Sequence, residues 1–136
     1  MNKKPKVTGE ISEINVLARL VTLGFVCSKP FGDNAPYDLI VDTGHKLVKL
    51  QVKTTWHRDD AITIKFSRVR INTKKNYTKF YALSEVDYFA AYDKESDRVF
   101  IIKNSGLKSI SLRNTSTNYG ICHMANDYVL TIDSFN

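Results

Sequence analysis

The sequence predicts an α/β or α+β fold built on a mixed central sheet that is flanked by helices. Three observations support this class. One segment near the N-terminus has apolar residues at helical spacing, several later segments alternate apolar and polar residues, and 43% of the 136 residues are hydrophobic. Such a composition is typical of a folded core. No repeat or linker interrupts the chain, so we expect one domain over residues 1–136.

The first predicted element is a helix from Thr8 to Leu23. Thr8 is a suitable N-cap, and the acids that follow it lie where the helix dipole favours negative charge. Gly24 is placed to end the helix as its C′ residue. The apolar stripe that we expect to face the sheet consists of Ile14, Leu17, Leu20 and Val21.

A short strand at 25–28 and a polar loop precede a predicted hairpin, whose strands are Tyr37 to Asp42 and Leu47 to Thr54. Gly44 suits the tight turn between these strands. Because side chains alternate along a strand, the second strand should send one set into the core and hold the other set on its opposite face. The core set is Val48, Leu50 and Val52, and the opposite set is Lys49, Gln51 and Lys53.

Later segments continue the pattern of alternation. A strand is predicted at 61–67, and a second hairpin at 86–92 and 98–103 turns through residues 93–97. Residues 109–112 and 128–132 fit either short strands or a terminal helix. The polar segment 68–82 shows no pattern that assigns it to an element.

The charge distribution indicates a polyanionic partner. The net charge is +6, and the stretch from Ala61 to Ser84 contains six basic residues and no acid. A clustered basic segment favours nucleic acid, although a solvated basic loop has the same composition. The basic residues are Lys65, Arg68, Arg70, Lys74, Lys75 and Lys79.

The sequence predicts an intracellular protein of the cytoplasm or nucleoid without a membrane partner. No apolar run reaches the roughly 18–20 residues that span a bilayer, and no signal peptide follows the basic N-terminus. Cys27 and Cys122 are the two cysteines. We expect both to be reduced and buried.

The hairpin carries the residues for phosphodiester hydrolysis, which needs an activated water and stabilisation of charge on the phosphate. Mg²⁺, for which Mn²⁺ can substitute, prefers oxygen ligands. The candidates are the Asp38 carboxylate, the Gln51 side-chain oxygen and the backbone carbonyl of Val52. Lys53 would contact the phosphate or orient the water. Ordinary roles also fit, with Asp38 in a turn and Lys53 facing solvent.

A further acid is expected from the helix. Glu13 lies on or beside the apolar stripe, where an inward acid costs free energy unless it is paired or binds a metal. Glu10 shares a face with Ile14 and Leu17 and competes for the same role.

With these residues placed, the chain resembles the PD-(D/E)XK nuclease superfamily and, within it, the small group I intron-encoded homing endonucleases. From Glu13 to Asp38 is 25 residues, and from Asp38 to Gln51 is 13, as in that family. The matching positions are Gly9, Glu13, Gly24-Phe25, Pro36-Tyr37-Asp38 and Gln51-Val52-Lys53-Thr54.

The match departs from the common motif at two positions. Tyr37 separates Pro36 from Asp38, and Gln51 replaces the usual acid. The Gln is a known variant in the intron-encoded group. Elsewhere in the superfamily it would indicate weakened metal binding.

The resemblance implies a restriction-endonuclease-like sheet and a site-specific, Mg²⁺-dependent endonuclease that cleaves double-stranded DNA as a homo-oligomer, either a dimer or a tetramer. It implies that Glu13, in preference to Glu10, joins Asp38, Gln51 and Lys53 in catalysis and helps to hold the metal. Lys29 and the basic stretch are the candidates for DNA contacts. Two alternatives stay open. One is a junction resolvase or restriction-type enzyme, and the other, favoured by Gln51, is a non-catalytic DNA-binding module.

Overall fold

A computed structural model describes residues 5–71, 76–116 and 120–136 of the protein. Over these residues the structure has one long helix, eleven strands and a short 3₁₀ helix. In chain order the elements are α1 Pro5–Thr22, β1 Val26–Ser28, β2 Leu39–Asp42, β3 Leu47–Thr54, β4 Trp56–Arg58, β5 Ala61–Lys65, β6 Arg68–Ile71, β7 Asn76–Lys79, β8 Tyr88–Asp93, β9 Arg98–Lys103, β10 Ser109–Arg113, β11 His123–Met124 and the 3₁₀ helix Ala125–Tyr128.

Helix α1 begins earlier than predicted, so Thr8 lies inside the helix and does not cap it. Its buried face also differs from the prediction. Ile14 and Val21 are 66% and 56% exposed, whereas Val16 and Leu20 are fully buried. The prediction was right for Leu20, which is in the core, and for Leu17, which packs against it. It was wrong for Ile14 and Val21, because the buried face of the helix instead includes Val16 and the polar residue Ser12.

The end of α1 follows the prediction. Gly24 adopts a φ of +98°, a conformation that side chains rarely tolerate. Its amide donates to the carbonyl of Val21 at 3.0 Å, and the amide of Phe25 donates to Leu20 at 3.1 Å. This pair of bonds is a Schellman motif, which stops the helix and turns the polypeptide toward β1.

The α+β class and the mixed central sheet are confirmed. Five strands are ordered β1-β2-β3-β8-β9, and only the β3–β8 pair in this sheet is parallel. Helix α1 packs on one face, over a core that contains Val16, Leu20, Val48, Leu50 and Phe135. As predicted, Val48 and Leu50 point into this core, and Val52 packs against it.

A second sheet covers the other face of the central sheet. Its order is β11-β10-β5-β4, with β5 paired antiparallel to both β4 and β10. Ile64, Phe66 and Leu112 from this layer pack against Phe89 and Phe100 of the central sheet. Strand β4 and the hairpin β6–β7 were not predicted. Residues 128–132 form no full strand, and Val129 makes a single bridge to Phe100.

Cys27 and Cys122 are both free, as predicted, but each is only partly buried. Within the described ranges, no helix has the length and apolar character needed to cross a membrane.

Candidate functional site

The candidate site forms where β2 ends and β3 continues. Strand β2 pairs with β3 only as far as Leu39, opposite Leu50. The preceding residue, Asp38, donates its amide to the carbonyl of Leu50 at 2.9 Å, and its Oδ2 accepts from the amide of Val52 at 2.8 Å. The side chain of Asp38 therefore replaces the next ladder bond and holds its carboxylate against the edge of β3.

The surroundings of the Asp38 carboxyl disfavour its ionised form. Burial raises its pKa above the ordinary value of 3.8, and the negative charge of Glu13 raises it further. The hydrogen bond from Val52 and the positive charges of Lys53 and Lys29 oppose this rise without cancelling it. Such a carboxylate gains most from a cation placed beside it.

Glu13 approaches from α1, on the side of the sheet that the helix covers. Its side chain is 25% exposed and forms an ion pair with Lys29 in the loop after β1. The hydrogen bond that the Lys29 ammonium donates to Glu13 raises the pKa of Lys29. Glu10 is exposed, and it lines the same cavity as Glu13, Ile14 and Lys29. The structure therefore brings Glu13, but not Glu10, into electrostatic contact with Asp38.

Gln51 and Lys53 come from the face of β3 opposite Val52, as alternation predicts, and both are partly buried. The ammonium of Lys53 donates to the carbonyl of Ser67 at 3.2 Å and lies 5.0 Å from the centre of the Tyr81 ring. Within the described residues, the side chain of Gln51 makes no hydrogen bond that would occupy its amide oxygen.

Sequence reasoning missed three residues that support the site. Ser67 and Tyr81 hold Lys53, and Ser12 donates or accepts a 2.6 Å hydrogen bond with Thr54. Ser12 is only 2% exposed. A buried serine in the middle of a helix was a usable signal, because such a hydroxyl needs a partner. Nothing local indicated the contacts of Ser67 and Tyr81, which are long-range.

The predicted DNA contacts are spread over several elements. Lys29 pairs with Glu13, and Lys65, at the end of β5, lies 5.1 Å from the centre of the Trp56 ring. Arg68, Arg70 and Lys79 are on the β6–β7 hairpin, but their side chains are outside the described part of the structure. Lys74 and Lys75 lie outside the described residues altogether.

The donor set around Asp38 fits a hard divalent cation. No cluster of three or more His, Cys, Asp or Glu side chains suited to a metal occurs in the described ranges. Mg²⁺ does not need one, because it binds one or two carboxylates and completes its shell with neutral oxygens, waters and phosphate. Asp38 and Glu13 would supply carboxylates to such a cation, and Gln51 and the carbonyl of Val52, which points to the same edge as its amide, would supply neutral oxygens.

Comparison with known proteins identifies the family of the chain. The family model for PD-(D/E)XK endonuclease matches residues 2–130. The chain belongs to this family. No curated protein matches the sequence.

The fold of this PD-(D/E)XK family member also has a solved counterpart. It is similar to the structure of a bacterial homing endonuclease, I-Ssp6803I, with a TM-score of 0.79 and 24% sequence identity. The similarity covers 93% of this chain and 89% of the other. At this level of identity the likeness establishes the fold, which was the fold that the sequence predicted.

Proposed function

We propose that this PD-(D/E)XK protein is a Mg²⁺-dependent, site-specific endonuclease of the homing type that hydrolyses double-stranded DNA. One observation carries the proposal. At the edge of β3, a carboxylate with a raised pKa lies within the electrostatic reach of Glu13 and Lys53. The solved structure that the chain resembles is that of a bacterial homing endonuclease, which supports this type of target.

Each residue has a separate task in the proposed reaction. A divalent ion held by Asp38, Glu13, Gln51 and the carbonyl of Val52 would stabilise charge on the phosphate and lower the pKa of the attacking water. The amide of Val52 fixes the Asp38 carboxylate at the edge of β3. Lys53 carries a positive charge that stabilises the phosphate oxygens as their charge grows. Ser67 and Tyr81 limit the positions that the Lys53 ammonium reaches.

The proposal includes a homo-oligomer, either a dimer or a tetramer. One site cuts one strand, so a double-strand break needs two sites, which a symmetric assembly supplies.

The test is cleavage of a pool of duplexes and a four-way junction, with Mg²⁺ or Mn²⁺. Wild type is compared with Asp38→Asn and with the control Asp42→Asn, since Asp42 lies at the far end of β2 and accepts a hydrogen bond from the turn amide of Gly44. Cutting by wild type and Asp42→Asn alone supports the proposal. Cutting of the junction alone indicates a resolvase, and metal-independent binding without any cutting indicates a non-catalytic module.

A further inference from the structure

The outer face of the second sheet is basic and unlike a core surface. Strand register places three rows across β4, β5 and β10, namely Arg58-Ala61-Arg113, Trp56-Thr63-Ser111 and Lys65-Ser109. Since Ile62 and Ile64 belong to the core between the sheets, the residues that alternate with them face outward. We define the outer face as Trp56, Arg58, Thr63, Lys65, Ser109, Ser111 and Arg113.

This face presents cations together with the exposed hydroxyls of Ser109 and Ser111, whereas Thr63 in the central strand is only 9% exposed. Arg58 and Lys65 are exposed and Arg113 is partly exposed, and none of the three forms an ion pair within the described residues. Thr63 and Ser111 face each other with their hydroxyl oxygens 3.3 Å apart. Asp59 and Asp60 border the face at the β4–β5 turn, but no acid lies on the face itself.

Trp56 gives the face an aromatic member. It is 40% exposed, and the Lys65 ammonium lies 5.1 Å from the centre of its ring. Such a pair keeps a lysine extended over a flat surface while its charge stays available to an anion. Near the opposite margin, Leu107 and Ile121 are 50% and 89% exposed and line a groove with Ser109, Ser111 and Arg113.

We propose that the outer face is a second contact surface for the phosphodiester backbone of duplex DNA, apart from the cleavage site. Arginine, lysine and hydroxyl side chains are the groups that bind phosphate and position a protein on DNA. Strands lie about 4.8 Å apart, so Arg58 and Arg113 stand roughly 10 Å apart on either side of Ala61. At this spacing each arginine would bind a different phosphate. This inference rests on the proposed function, because it names where that DNA also touches the protein.

The chain contains one tryptophan, and it lies on this face. DNA phosphates that attract Lys65 would change the surroundings of the Trp56 ring. Fluorescence of wild-type protein, titrated with a duplex of arbitrary sequence and without divalent metal, therefore reports this contact directly. Fluorescence anisotropy of a labelled duplex measures total binding in the same samples.

A charge-matched pair of variants makes the test specific. The first changes Arg58, Lys65 and Arg113 to Gln, and the control changes Lys46, Lys94 and Lys103, exposed lysines of other surfaces, to Gln. Both lower the net charge by three. The outer-face variant should reduce the slope of log affinity against log salt by roughly 2 to 3 and weaken binding at least about tenfold. The control variant should do neither. If the triple variant is unstable, Lys65→Gln alone should lower the slope by about 0.9.

Several outcomes would overturn the inference. Equal losses in both variants would assign the effect to net charge, and a binding isotherm without any Trp56 signal would place the DNA elsewhere. A change in sedimenting mass caused by the outer-face variant would identify the face as a contact between copies of the chain. If wild type binds no duplex at all, the proposed function fails as well, whereas binding that the outer-face variant leaves unchanged removes only this inference.

Discussion

The hydroxyls of Ser12 and Thr54 are 2.6 Å apart, and this hydrogen bond joins the middle of α1 to the end of β3. Each residue is next to a candidate catalytic residue, Ser12 to Glu13 and Thr54 to Lys53. The bond therefore sets the position of the helix carboxylate relative to the strand that carries the lysine.

Ser12→Ala should destabilise the protein by about 1–2 kcal/mol, because it removes a buried hydrogen bond and leaves the Thr54 hydroxyl without that partner. Urea unfolding measures this loss. The kcat for cleavage should decrease while KM changes less, since the bond positions the candidate catalytic groups. The separate variant Thr54→Ser keeps a hydroxyl at this position, so its stability and cleavage should stay close to those of wild type. Equal losses in both variants would show that packing, and not the hydrogen bond, is responsible.

Asp38→Asn should abolish cleavage yet raise stability at neutral pH. The folded-state pKa of Asp38 is raised above 3.8, so its contribution to stability is full below pH 3.8 and is lost as pH rises through the folded pKa. Asn keeps an oxygen for the Val52 amide and removes the charge. Thermal melts at several pH values test this, and the gain should vanish in acid. A variant less stable than wild type at pH 7 would contradict the prediction.

Gln51→Glu should stay active and reach half-maximal cleavage at a lower Mg²⁺ concentration, because it adds a negative charge to the proposed metal site. Metal titrations of the two proteins measure the shift. Loss of all metal-dependent cutting in a folded Gln51→Glu protein would exclude Gln51 from the metal.

Lys53→Met should reduce cleavage by about 100-fold or more and leave duplex affinity almost unchanged, since its charge acts on the transition state. Lys49→Met is the matched control, because Lys49 is on the same face of β3 but its ammonium contacts the carbonyl of Ser84. Single-turnover cleavage and anisotropy separate the two effects. Parallel losses of cleavage and binding would make Lys53 an ordinary phosphate contact.

The Asp93 carboxylate should make the fold sensitive to acid. Burial raises the pKa of Asp93, but hydrogen bonds from Ser96, His57 and Thr55 lower it to a net value below 3.8. Because the folded-state pKa is lowered, the ionised carboxylate stabilises the fold above pH 3.8, and this stabilisation is lost as pH falls through the folded pKa. Asp93→Asn should therefore be less stable than wild type at neutral pH, with a gap that closes in strong acid. Urea unfolding at a series of pH values tests this, and a constant gap would refute it.

Local patterns predicted the parts of the site that depend on one element. Alternation along β3 placed Gln51 and Lys53 on one face, and the hairpin brought Asp38 beside them. Apolar spacing predicted Leu17 and Leu20 on the buried face of α1 but not Ser12, whose partner is 42 residues away. The second sheet depends on pairing between β5 and β10. The contact between Lys53 and Tyr81 depends on packing between distant segments. Such contacts leave no trace in local spacing.

The parallel pairing of β3 with β8 also has a consequence for how the protein folds. Leu50 pairs with Tyr88, so the strand that carries Gln51 and Lys53 lacks one neighbour until residue 88 has left the ribosome. Parallel pairing between segments so far apart in sequence is slow. Until the pair forms, the unpaired apolar strand is prone to aggregate. Synthesis should thus pass through a stage in which the hairpin β2–β3 exists without activity. Temperature during expression, rather than final stability, should then govern the yield of folded protein.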